Sequence, residues 1–192
     1  MNVTLPALWQ SSDFARGSAF GASAADRVAN ATLIIHQFLL ARYPIGIALA
    51  AVVNARAESD LSNQAIGDNG HSVGLFQLSD LGAGRGMSVA ERKDPRINTR
   101  TIIRETRTYG SRLMQAYRDG ATVAELSVIF GEDIERHAPG AAPRDQLARQ
   151  MFPGIADVPA KHLVLLGAVI PLIAGSVLAL TGLVLLVYVL RK

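Results

Sequence analysis

The tail of the chain places the hardest constraint on what it can fold into. After His162 runs LVLLGAVIPLIAGSVLALTGLVLLVYVL, residues 163–190, without a single Asp, Glu, Lys or Arg. About 20 such residues suffice to cross the hydrocarbon core of a bilayer. Core helices of soluble domains are rarely so long and so uniformly apolar. The run therefore predicts a transmembrane helix over 162–190, with a lipid bilayer as its partner, free to tilt or to kink at Pro171. Gly167, Pro171, Gly175 and Ala179 recur every four residues and would let such helices approach closely, so self-association is a further expectation.

Charge supports the same reading. The chain carries a formal +3, but every acidic residue precedes Lys161. The 16 acidic residues there are matched by 16 of the 19 basic ones, leaving Lys161, Arg191 and Lys192 as the whole excess. These three flank the apolar run, so the basic balance belongs to an anchor and not to a nucleic-acid face. Cysteine is absent, and His36, His71, His137 and His162 form no ligand pair at helical spacing. Neither a metal nor another cofactor is expected. The opening MNVTLPALWQSSDF has neither the charged nor the apolar region of an export leader. The expectation is a globular part held on one side of a membrane by its C-terminus.

Ahead of the tail, residues 1–24 are rich in Ser, Ala and Gly and read as an N-terminal arm. A domain over 25–152 follows, then a linker over 153–161. In DRVANATLIIHQFLLARY, the residues Val28, Thr32, Ile35 and Leu39 share one helical face. Pro44 ends that helix and opens a second, IGIALAAVVNARAES, apolar on all sides to Val53 and so destined for the interior. Beyond it lies an Asn/Gly/Asp-rich loop fit for a small hairpin. Further helices are predicted at SVAERK, from Ile97 to about Arg118, over Val123–Phe130 and over Pro143–Met151. The fold class is mainly α with a minimal β element, plus one C-terminal transmembrane helix. Nine basic residues against three acidic ones lie between Arg85 and Arg118. Arg96, Arg100 and Arg104 among them line one face, which is either a solvated surface or a contact for anionic polymer or lipid headgroups.

The segment Glu58–Asp80, ESDLSNQAIGDNGHSVGLFQLSD, is where chemistry concentrates. It resembles the catalytic segment of the lysozyme-like superfamily, above all phage-tail lysozymes, goose-type lysozymes and lytic transglycosylases. Glu58-Ser59 closes an apolar helix, Gly67-Asp68-Asn69-Gly70 forms the loop, and Gly74-Leu75-Phe76-Gln77 follows. Asp94-Pro95 with Asn98, and FGEDIERHAP near residue 130, are similar to later family segments. The resemblance spans about residues 28–152 and implies a lysozyme-like α+β domain that degrades peptidoglycan.

General chemistry points to Glu58 independently. Cleaving a glycosidic bond near neutral pH needs a carboxyl that keeps its proton, whereas an ordinary Glu titrates near 4.3. Burial against an apolar helix and the carbonyl dipoles of a helix C-terminus both oppose ionisation. Glu58 is therefore the expected general acid. The candidates for a second catalytic carboxylate are Asp60, Asp68 and Asp80; the resemblance favours Asp68, while Asp80 follows Ser79, which stands where the family places an Asp. The resemblance also implies that Ser59, Gly74, Leu75, Phe76, Gln77 and Asn98 bind substrate, although Phe76 could equally be core and Asp68 a turn residue. The expected activity is a muramidase that cuts the β-1,4 bond from N-acetylmuramic acid to N-acetylglucosamine, as a lytic transglycosylase using one Glu or as a hydrolysing lysozyme. The expected setting is a virion, anchored through the helix, that opens the wall during phage genome entry, with other virion proteins as partners. A structural virion protein with an inactive lysozyme-like module is the non-enzymatic alternative.

Overall fold

The computed structural model describes residues 2–4, 20–136, 143–166 and 186–189. Four of the seven α-helices among the described residues begin where a side chain satisfies free amides of the first turn. Ser23 Oγ accepts from the Asp26 amide at 3.1 Å, and the Asp26 carboxylate reaches back to the Ser23 amide, starting helix α1 over Ala24–Leu40. Ser88 with Glu91 and Thr122 with Glu125 repeat this reciprocal cap further on. Helix α2, Ile45–Ser59, follows Pro44. From Ile47 to Ala55 its apolar side chains are fully buried, which makes α2 the central element, as its all-round apolar surface predicts.

After α2 the chain forms a short antiparallel meander of β2 (Ile66–Gly67), β3 (Ser72–Val73) and β4 (Leu78–Ser79), in that spatial order. Ile66 pairs with Val73, and Ser72 with Ser79. Helix α3 (Val89–Lys93) leads into α4 (Pro95–Tyr109), whose first amides donate to Asp94. The single helix expected over Ile97–Arg118 is two helices: α5 (Ser111–Asp119) restarts after Gly110, which sits at φ −82°, ψ 22°. Gly costs about 1 kcal/mol in a helix interior. A side chain at 110 would press on the Thr106 carbonyl, so the break needs glycine. Helix α6 (Val123–Phe130) runs into a π-helical turn, Gly131–Glu135, and α7 covers Arg144–Met151. Helices α1, α6 and α7 pack around α2, and α4 packs on α1.

The segment 153–161, expected as a linker, folds back onto the domain. Ile155, Ala156 and Ala160 are buried. The Ala124 amide donates to the Ala156 carbonyl at 3.0 Å, and the Ala160 amide to the Ala121 carbonyl at 2.9 Å. Gly46 on α2 leaves the room that the Ala160 methyl occupies.

The transmembrane helix over 162–190 is overturned at both ends. Leu163–Leu166 is strand β5 and Leu186–Val189 is strand β6. They pair antiparallel with each other, and β6 also pairs with β1, Asn2–Thr4. Among the described residues no helix is long and apolar enough to cross a membrane. Where every position is apolar, periodicity cannot separate helix from strand. The ends, LVLL and LVYV, carry the Val and Tyr that favour pleated structure. Residues 167–185, with the four-residue series Gly167, Pro171, Gly175 and Ala179, lie outside the described residues.

Candidate functional site

Glu58 occupies the penultimate position of α2, and the chain turns sharply beyond it. Asp60 and Leu61 both take left-handed backbone conformations, φ 56° and 58°. Asp68, Asn69 and Gln77 do the same at 48°, 55° and 43°. Five of the seven non-glycine residues of this kind among the described residues therefore fall between Glu58 and Asp80, the other two being Arg42 and Arg136. Such conformations cost on the order of 1–3 kcal/mol each and persist where the surroundings over-determine them, functional loops above all. Buried charge supplies part of that restraint: Asp60 is gripped by Arg56 and by Arg27, which is itself 1% exposed.

Ser59 and Asn98 fasten the Gly-Leu-Phe-Gln loop to this turn. Ser59 is fully buried, and its hydroxyl is placed to donate to the Leu75 carbonyl at 2.8 Å or to the Ala55 carbonyl at 2.9 Å. Asn98, also fully buried, accepts from the Phe76 amide at 3.1 Å and donates to the Val73 and Arg92 carbonyls at 3.2 and 2.7 Å. Gly74, at φ +84°, lies where any side chain would strike the Arg92 carbonyl and the Asn98 amide. Leu75 is fully buried, and Phe76, 4% exposed, tilts against Phe130 with ring centroids 6.5 Å apart. Gln77 is half-buried and donates to the Gly74 carbonyl at 3.0 Å. Of the residues expected to touch substrate, Ser59, Gly74, Leu75, Phe76 and Asn98 thus sit beneath the surface and shape the loop from inside.

The other carboxylates stand apart from this framework. Asp68 is exposed on the turn between β2 and β3, and its carboxylate accepts from the Ser72 hydroxyl. Asp80 pairs with the exposed His71 at 3.1 Å and lies 3.8 Å from Arg92. Arg92 is buried and also donates to the Leu78 carbonyl at 3.0 Å.

The surroundings of Glu58 differ from the expected apolar ones. Its side chain is 24% exposed and is engaged by the Nη2 of Arg144, the first residue of α7. Arg144 is 3% exposed, and its Nε donates to Asn54 Oδ1 at 3.0 Å. Asn54 is held in turn by the carbonyls of Ala50 and Ser127, each at 2.9 Å. The same Arg144 Nη2 lies 3.8 Å from Oε2 of Glu135, a side chain only 4% exposed. Burial pushes the Glu135 carboxyl well above the usual carboxylate range. The negative charge of Glu58 adds to the rise, and Arg144 offsets part of it. Neither Glu135 oxygen has a hydrogen-bond partner among the described residues.

Glu135 and Arg144 had no part in the site read from the sequence. Two signals bear on Glu135: it lies in FGEDIERHAP, the stretch similar to a later family segment, and its place four residues after Gly131 and eight after Ser127, both buried, continues an inward face. Nothing local marks Arg144, which meets Glu58 from 86 residues away. Elsewhere Arg96, Arg100 and Arg104 are exposed along α4. An open groove of about 830 Å³ lies between α5, α6 and α7, lined by Arg112, Asp119, Glu125, Glu132, Asp145 and Arg149 among others, and none of the expected site residues borders it. Among the described residues no group of three His, Asp or Glu is arranged to hold a metal ion. Comparison with family models, with curated proteins and with solved structures finds no match for this chain.

Proposed function

We propose that the protein is a peptidoglycan-cleaving muramidase in which Glu58 is the catalytic acid and base. One observation carries this reading: a partly exposed carboxyl at the end of a buried apolar helix, set in a cluster of two carboxyls and one guanidinium, beside a loop held in strained conformations from within. A buried carboxyl held well above the usual range, as Glu135 is, is more common beside functional sites than in ordinary surface pairs.

As a lytic transglycosylase, Glu58 gives its proton to the glycosidic oxygen as the bond to the muramic acid anomeric carbon breaks. The resulting carboxylate takes the proton of the muramyl 6-hydroxyl, whose oxygen bonds to that carbon. The product is a 1,6-anhydro end, and no water is consumed. A second reading rests on the similarity of the loop over 67–70 to goose-type lysozymes: a carboxylate, Asp68, directs water and an ordinary reducing end results. Similarity of the Glu58–Gln77 segment to phage-tail lysozymes supports a virion setting, with local opening of the cell wall during genome entry.

The test compares full-length wild type with Glu58→Gln on purified peptidoglycan. Wild type should release muropeptides and the variant should not. Mass spectrometry then separates the two chemistries, since anhydro ends weigh one water less. Equal inactivity of the two proteins would leave the non-enzymatic alternative, a structural protein with an inert module.

A further inference from the structure

Arg144 is placed to serve two carboxyls, not one. Asn54 anchors its Nε, and the Nη2 corner lies between Oε1 of Glu58 and Oε2 of Glu135. A buried pair built for stability alone would be expected to satisfy its remaining polar atoms, yet both oxygens of Glu135 lack a hydrogen bond among the described residues. A carboxyl in that state is poised to take over a neighbouring cation.

We propose that Glu135 is a positioning residue that acts through Arg144 on Glu58: the three groups hold one proton between them, and the guanidinium follows whichever carboxyl is ionised. This rests on the reading of Glu58 as the acid. Two carboxyls, one guanidinium and one proton sum to zero charge, which spares the interior an uncompensated ion. In the arrangement observed, Arg144 engages Glu58; the shared proton then belongs to the dry Glu135, where burial disfavours the charged form. A saccharide settling on Glu58 removes its remaining water and so disfavours its ionised form. Glu58 then takes up a proton, Glu135 releases one, and Nη2 closes the 3.8 Å gap to Glu135. The net charge is unchanged, and the exposed carboxyl now carries the proton that bond cleavage requires. Without Glu135 the guanidinium would stay on Glu58 and hold it as a carboxylate. Among the described residues, the charged groups facing Glu135 from the packed elements are Glu58 on α2 and Arg144 on α7.

The experiment uses the full chain as wild type, Glu135→Gln and Glu58→Gln. Rates on purified peptidoglycan are measured across pH, and the carboxyl carbon of Glu58 is titrated by ¹³C NMR. In Glu135→Gln the rate near pH 7 should fall about tenfold and its optimum should move about one unit to acid, and the second inflection that Glu135 gives the Glu58 titration should vanish, because the variant reproduces only the neutral partner. A loss of equal size at every pH with both Glu58 inflections retained would overturn the proposal, because it marks a merely structural role. Should Glu135→Gln fail to fold, the wild-type titration decides: two inflections at Glu58 report coupling to Glu135, and a single one refutes it. If wild type and Glu58→Gln are equally inactive, the function proposed above fails, while the NMR titration still judges the coupling by itself.

Discussion

Asn98 offers a quantitative test of how the loop beside Glu58 is held. Its side chain makes three bonds from a fully buried position: one accepted from the Phe76 amide, and one donated to each of the Val73 and Arg92 carbonyls. A buried hydrogen bond is worth about 1 kcal/mol net, and an orphaned partner can cost about 1–3 kcal/mol. Replacing Asn98 with Ala strands three backbone groups at once and should cost roughly 3 kcal/mol or somewhat more. For a chain of this size that lowers the melting temperature by roughly 6–12 °C. Asn98→Asp is the sharper perturbation. It can still accept from Phe76, but it sets a carboxyl oxygen against the two carbonyls that the amide nitrogen now serves. It should therefore be at least as destabilising as Ala despite being nearly isosteric. Urea unfolding of the three proteins, read by circular dichroism with m-values compared, supplies the measurement. An Asp variant within about 1 kcal/mol of wild type would refute the claim that the two donated bonds hold the loop.

Two further outcomes follow from the same geometry. Gly74→Ala places a methyl against the Arg92 carbonyl and the Asn98 amide at a left-handed position, so it should cost roughly 2–5 kcal/mol from backbone conformation and overpacking together, measured by chemical denaturation. Because burial raises the titration of Glu135, its neutral form stabilises the fold fully below the ordinary Glu range, and that contribution is lost as pH rises through the raised value. Wild type should therefore lose melting temperature relative to Glu135→Gln on going from about pH 5 to pH 8; a difference that does not change with pH would contradict the placement of this carboxyl.

Local chemistry was enough to locate much of the scaffold. Pro44 acts within a few residues, so the end of α1 and the start of α2 are written in the order of the chain. The interior position of α2 follows from its uniform apolarity, because no face of it could meet water without penalty. The place of Glu58 at the end of that helix was legible for the same reason, because Ser59 and Asp60 follow directly on the apolar run. Local pattern failed where two outcomes bury the same side chains. The apolar tail can satisfy its backbone along a helix or across strands, and only pairing partners decide; here residues 2–4 and 186–189, from opposite ends of the chain, made that decision for the described part. The environment of Glu58 was decided in the same long-range way. Arg144 and Glu135 reach it from distant segments, and a carboxyl's proton affinity depends on what charge stands within a few ångströms, a distance that exists only after packing.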